Sequence, residues 1–322
     1  MTSGFDAFSL GLFTSLAPAG VVAFLALALV RLWSRDRTAS VRIDRMIALP
    51  FSVVLIGFIA SATHLGTPAN ALHVFSGVGR SPLSNEVLSA VAFLFLVGSY
   101  WMMAFKERFP DAVAKPWLAL ACLAGIALIA CTSMAYNVDT VPTWDTAFTP
   151  ANLVLAALLA GPVLGLLFLE LAQVRPRALE RALVVLAALA LVAGTVVLAL
   201  HQESLSAIAN NEFAASTLAP SYPAVIGAHL IVGAIALAIA GHRDRTRDSR
   251  PVDEARPIPP HDTRTESHRQ PARARSRLRH PHRVLPPAHD RRVLIEQFSR
   301  VATQRPFADF PDFGKNFEVR RC

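Results

Sequence analysis

His64 and Glu86 bracket the stretch of this chain best placed for proton chemistry. The stretch is SATHLGTPANALHVFSGVGRSPLSNE, Ser61 to Glu86. It starts inside an apolar run and leaves that run at His64. It then crosses a Gly/Pro-punctuated loop whose only strong base is Arg80, and ends at Glu86, where the next apolar run begins. An imidazole with an unperturbed pKa of about 6.5 both accepts and releases a proton near neutrality. A carboxylate close by can pass that proton to water.

Ionisable groups inside apolar spans cost about 2.5–3.5 kcal/mol each on insertion scales, so each one is a functional candidate. Few occur here. Besides His64, His201 closes the sixth apolar run, His229 lies about a turn into the seventh, and Glu170 lies near the end of the fifth, within snorkelling reach of water. Two redox chemistries fit. One is a quinol site, in which His64 takes the hydroxyl proton and Glu86, or Asp139 across the rim, passes it to water. Arg80 and Asn70 then order the loop or stabilise a charged quinone oxygen. The other is a single haem b, which needs two opposed axial histidines; His64 with His201 or His229 has compatible depth. The plainer reading makes His64 an interfacial histidine bonded to backbone, and Arg80 and Asn70 loop-forming residues.

The elements that position these residues are transmembrane helices. Of 322 residues, 53% are hydrophobic and only 17% charged, and the mean hydropathy is +0.42. A soluble domain carries about a quarter charged residues. The apolar residues fall into seven runs long enough to cross a bilayer as helix: roughly 9–33, 46–66, 87–105, 117–136, 149–172, 180–201 and 224–241. Lipid leaves backbone groups no partner but each other, so the expected fold is an all-α integral membrane helix bundle. Residues 1–241 form the transmembrane domain and residues 242–322 a separate tail. The first run is too long, and residues 1–9 too poor in bases, for a cleavable leader. The midplane is nearly all Ala, Leu, Val and Gly, which disfavours a transporter or ion channel.

Lys and Arg alternate between loops. Arg31, Arg35, Arg37, Arg42 and Arg45 flank the first loop, Lys106, Arg108 and Lys115 the third, and Arg175, Arg177 and Arg181 the fifth. The second loop holds only Arg80, and the fourth and sixth hold none. The positive-inside rule therefore places the N-terminus, and the rim carrying His64 and Glu86, outside. In the fourth loop, YNVDTVPTWDTAFTP, Trp144 is either an interfacial anchor or, with Pro142, a docking point for a partner. Gly161, Pro162 and Gly165 predict close helix packing in the fifth span. Cys122, Cys131 and Cys322 have no metal-binding spacing.

The net charge of +8 is dominated by the tail, which is dense in Arg, Pro and His and reads as disordered. Its composition is also what GC-rich coding sequence yields out of frame. Reading RVLPPAHD, Arg283 to Asp290, one base later allows an apolar VFYxLHM segment. A frameshift between about 242 and 275 that removed an eighth span accounts for the change.

Four segments carry a family resemblance: HLGTPANA from His64, VGRSPLSNE from Val78 to Glu86, YNVDTVPTW from Tyr136 to Trp144, and AGPVLG from Ala160. Together they resemble the membrane anchor subunit of anaerobic dimethyl sulfoxide reductase, the DmsC family, over about residues 5–240. The resemblance implies eight transmembrane helices, the last carrying a VFYxLHM-like segment, in the bacterial cytoplasmic membrane. It implies an electron-transfer and anchor subunit rather than a complete enzyme, with no haem and no iron–sulfur cluster of its own. Its partners would be a molybdopterin catalytic subunit and an iron–sulfur subunit, and its substrate menaquinol. His64 matches the family's quinol-site histidine and Glu86 its acid after the Ser-Asn pair. The unreadable eighth helix is the departure.

Overall fold

The computed structural model describes residues 4–63, 68–105, 110–209 and 214–248. His64 and the tail from residue 249 onward, with the shifted-frame segment, lie outside the described residues. The elements in order are α1 (Gly4–Trp33), α2 (Arg37–Met46), α3 (Ala48–Ala62), a 3-10 helix (Pro68–Gly77), α4 (Pro82–Ala104), α5 (Asp111–Ala135), α6 (Phe148–Leu171), α7 (Arg177–Leu205), the short α8 (Ala215–Leu218) and α9 (Tyr222–Asp248). Among the described residues seven helices are long and apolar enough to cross a membrane: Ser9–Trp33, Arg37–Ala62, Pro82–Ala104, Asp111–Ala135, Phe148–Leu171, Arg177–Leu205 and Tyr222–His242. The protein is an all-α, multi-pass membrane protein.

Two stretches that read as loops are helical. The basic run after Arg35 forms α2. Asp36 caps it, its carboxylate accepting from the Thr38 N–H at 2.9 Å. Ser40, Ile43 and Asp44 turn one face inward while the arginines line the other. Likewise, Pro68–Gly77 closes into ten residues of 3-10 helix. The last helix continues to Asp248, past the end of its apolar run.

α1 is the centre of the bundle: 72% of its span is buried within the protein, against 6% for the last span. It packs against α3, α5 and α6. Small residues make this approach possible. A Cβ at Gly161 would strike Val22, and one at Gly165 would lie 3.0 Å from the Ala26 side chain. Gly57 faces the Ala17 backbone nitrogen. The expected packing role of the α6 glycines is thus fulfilled against α1. Phe24 and Phe93 meet edge to face with centroids 5.3 Å apart, tying α1 to α4.

Arg31 turns inward from the loop that it flanks. It is 1% exposed. Its Nε donates to Asp44 Oδ1 at 3.0 Å and its Nη2 to Asp111 Oδ1 at 2.7 Å. Tyr100 donates its hydroxyl to Asp44 at 2.7 Å. One guanidinium therefore joins α1, α2, α4 and α5 at a single rim. Tyr100 and Glu86 lie 14 positions apart on α4, roughly 21 Å along its axis, so this lock sits at the rim opposite Glu86.

Candidate functional site

The entry into α4 is built to hold its first turns. Gly79 has φ +80°, a conformation that glycine adopts without strain. Its N–H donates to Asn85 Oδ1 at 2.7 Å. Arg80 Nη2 donates back to the Ser76 carbonyl at 3.0 Å, closing the turn that follows the 3-10 helix. Pro82 opens α4, where its missing N–H costs nothing. Gly77 packs so closely on Ser84 that a Cβ there would come within 2.5 Å of the serine hydroxyl.

Glu86 then falls one turn into α4 and points inward. It is 3% exposed. Its Oε1 is buried without a hydrogen-bond partner, and among the described residues no cation pairs with it. The side chain beside it is Thr132 of α5, which is fully buried and whose hydroxyl is also unpartnered. One turn on, Tyr136 ends α5. Burial, then the nearby Glu86 carboxylate, push the Tyr136 phenol well above its usual range. Tyr136 therefore stays protonated, and able to donate, at any working pH.

Of the other predicted residues, Arg80, Asp139, Pro142 and Trp144 are described, and none of them pairs with Glu86. Arg80 is exposed and serves the turn. Asp139 is exposed beyond the end of α5. Asn70 lies in the 3-10 helix, its side chain outside the described residues. Pro142 and Trp144 are exposed in the loop between α5 and α6, with the Trp144 ring 6.2 Å from that of Tyr136.

His201 forms a second cluster at the same rim. Its Nδ1 lies 2.9 Å from the Tyr222 hydroxyl and 3.5 Å from Asn152 Nδ2, and its Nε2 3.4 Å from the Thr143 carbonyl. The carbonyl only accepts, so Nε2 carries the proton and Nδ1 accepts from Tyr222 and Asn152. Phe148 stacks on the ring. The histidine ties α6, α7, α9 and the α5–α6 loop together. His229 is packed over Gly194, its Nε2 buried and unpartnered. At the far rim Glu170 pairs with Arg175 at 3.3 Å. The cleft of about 700 Å³ between α1, α5, α6 and α7 is lined by apolar side chains and Cys122, with no acid or base.

A bundle of seven apolar helices agrees with the comparisons. The family model for the DMSO reductase anchor subunit (DmsC) matches residues 1–247. The protein belongs to the DmsC family. It is 34% identical over 243 residues to the C subunit of anaerobic dimethyl sulfoxide reductase from Escherichia coli (strain K12), a match spanning 74% of this sequence and 84% of that one. It is 31% identical over 222 residues to the anaerobic dimethyl sulfoxide reductase subunit YnfH of the same organism, spanning 69% and 78%. The corresponding C subunit from Haemophilus influenzae is 31% identical over 165 residues, spanning 51% and 59%. No solved structure matches. In this DmsC-family protein the sequence reading singled out Glu86 but missed Thr132, Tyr136 and the Arg31 lock. One signal was present: Thr132 and Tyr136 are four residues apart, on one stripe of an otherwise apolar helix.

Proposed function

We propose that this protein anchors a molybdopterin-dependent S- or N-oxide reductase in the bacterial cytoplasmic membrane and oxidises menaquinol at the Glu86 rim. The family supports the anchoring role. The observation that carries the quinol reading is Glu86, a carboxylate out of water with no cation beside it. An unpaired acid is retained at such a depth for use rather than for stability. A quinol entering from the lipid gives its two hydroxyl protons to His64 and Glu86. Its two electrons would leave one at a time to the iron–sulfur subunit, and the quinone departs. No haem is assigned to the protein, so the cluster docks at the same rim, with Pro142 and Trp144 on the docking face. That rim and the N-terminus face away from the cytosol. Arg80 and Asn70 order the entry loop, and Asp139 receives protons at the water boundary.

The test uses the assembled complex in membrane vesicles, driven by a short-chain naphthoquinol. Glu86→Gln keeps the shape and removes the proton acceptor. Turnover is expected to fall by about 10²-fold or more, the scale of a positioned acid–base group. Reduction driven by an artificial donor acting directly on the catalytic subunit stays unchanged. His64→Ala gives the same split. Undiminished quinol oxidation in Glu86→Gln discards the assignment.

A further inference from the structure

Glu86 is one of several orphaned polar atoms gathered at this rim. Thr132 Oγ1, Asn137 Oδ1 and Thr146 Oγ1 are also buried without partners. Thr132, Tyr136 and Asn137 follow one another up the last turn of α5 and out of it, and Thr146 lies in the turn before α6. Buried polar atoms that lack a protein partner recruit water, which typically makes about three hydrogen bonds. Thr132 and Tyr136 stand beside Glu86, and the chain runs on from them through Asn137 into the loop that carries the exposed Asp139.

We propose that Thr132 and Tyr136 are positioning residues for the Glu86 carboxylate, and that with Asn137 they line a hydrated exit for its proton. This rests on the reading of Glu86 as the quinol-site acid. Thr132, beside the carboxylate, fixes its rotamer through a water shared between the two. Tyr136, always protonated, offers a donor one turn nearer the surface. The step is a proton transfer only: Glu86 as the acid gives its proton to water in that exit and returns to carboxylate, ready for the next quinol. Among the described residues, the titratable groups of the other elements packed against α4 stand apart. His73 of the 3-10 helix is exposed, α3 holds none, and Asp44 of α2 is bonded at the opposite rim.

Thr132→Val, Tyr136→Phe and Thr132→Ser are compared with Glu86→Gln in the assembled complex, driven by a short-chain naphthoquinol. Membrane levels of the complex report folding, and Thr132→Ala replaces Thr132→Val should the latter fail to assemble. Thr132→Val and Tyr136→Phe are expected to lower kcat about tenfold, less than loss of the acid itself. KM should hold, and the solvent deuterium isotope effect on kcat should rise because proton exit becomes limiting. Thr132→Ser should restore the rate. If Glu86→Gln stops turnover while both α5 variants run at the normal rate, the exit is wrong and the quinol site stands. A raised KM with normal kcat would make these residues mere quinol contacts and also overturn the exit. Full activity in Glu86→Gln removes both readings.

Discussion

The Nε of Arg31 donates to Oδ1 of Asp44 across 3.0 Å, in a place where the arginine is 1% exposed. Tyr100 donates to the same carboxylate oxygen. Removing Asp44 takes from the buried guanidinium its more buried partner and leaves only Asp111, itself half exposed, so the cost approaches but does not reach the about 3–5 kcal/mol of a fully unpaired buried charge. Asp44→Ala should therefore sharply reduce the folded protein in the membrane and lower its Tm in detergent. The double variant Arg31→Met/Asp44→Leu should recover most of the loss, because both charges go together. A double variant as unstable as Asp44→Ala alone would show that the pair is not the unit of stability.

Gly161 gives a packing test independent of charge. A Cβ there would strike Val22 of α1 and lie 3.0 Å from the Ala19 carbonyl. Helix backbone and a buried β-branched residue have no room to yield together. Gly161→Ala should cost about 1–3 kcal/mol, as overpacked cores do. Gly227, with open space at its Cβ position, is the control: Gly227→Ala should change stability by no more than about 0.5 kcal/mol. Thermal unfolding in detergent compares the two. Equal behaviour would contradict the α1–α6 interface.

The proposed orientation is open to direct mapping. In a background lacking native cysteines, Asp139→Cys should react with a membrane-impermeant maleimide added outside spheroplasts. Arg35→Cys should react only after the membrane is opened. Both positions are exposed at opposite rims, so the labels report side rather than burial. The reverse pattern would put the Glu86 rim on the cytosolic face and end the proposed docking geometry.

The chemistry was only partly legible in the sequence. Glu86 stood out because an acid opening an apolar run has few neighbours to disguise it. Its companions did not. Thr132 and Asn137 are ordinary residues at a helix end, and nothing local says that Thr132 is buried beside Glu86 of α4 or that Asn137 Oδ1 is buried without a partner. Arg31 sits among other arginines near a helix end, and charge counting treats them alike. Only Asp44 and Asp111, 13 and 80 positions on, turn it inward. The partners of His201 are equally remote: Thr143, Asn152 and Tyr222 come from three separate segments.

By itself the sequence determined the seven spans, because a bilayer demands length and apolarity that no fold can supply from elsewhere. The predicted 9–33 span matches Ser9–Trp33, and 149–172 falls within one residue of Phe148–Leu171. Tertiary structure alone decided which helix is central and which polar groups meet. Those outcomes depend on rotation about each helix axis. In a near-uniform apolar surface, rotation is set by glycine contacts and buried polar pairs between distant segments.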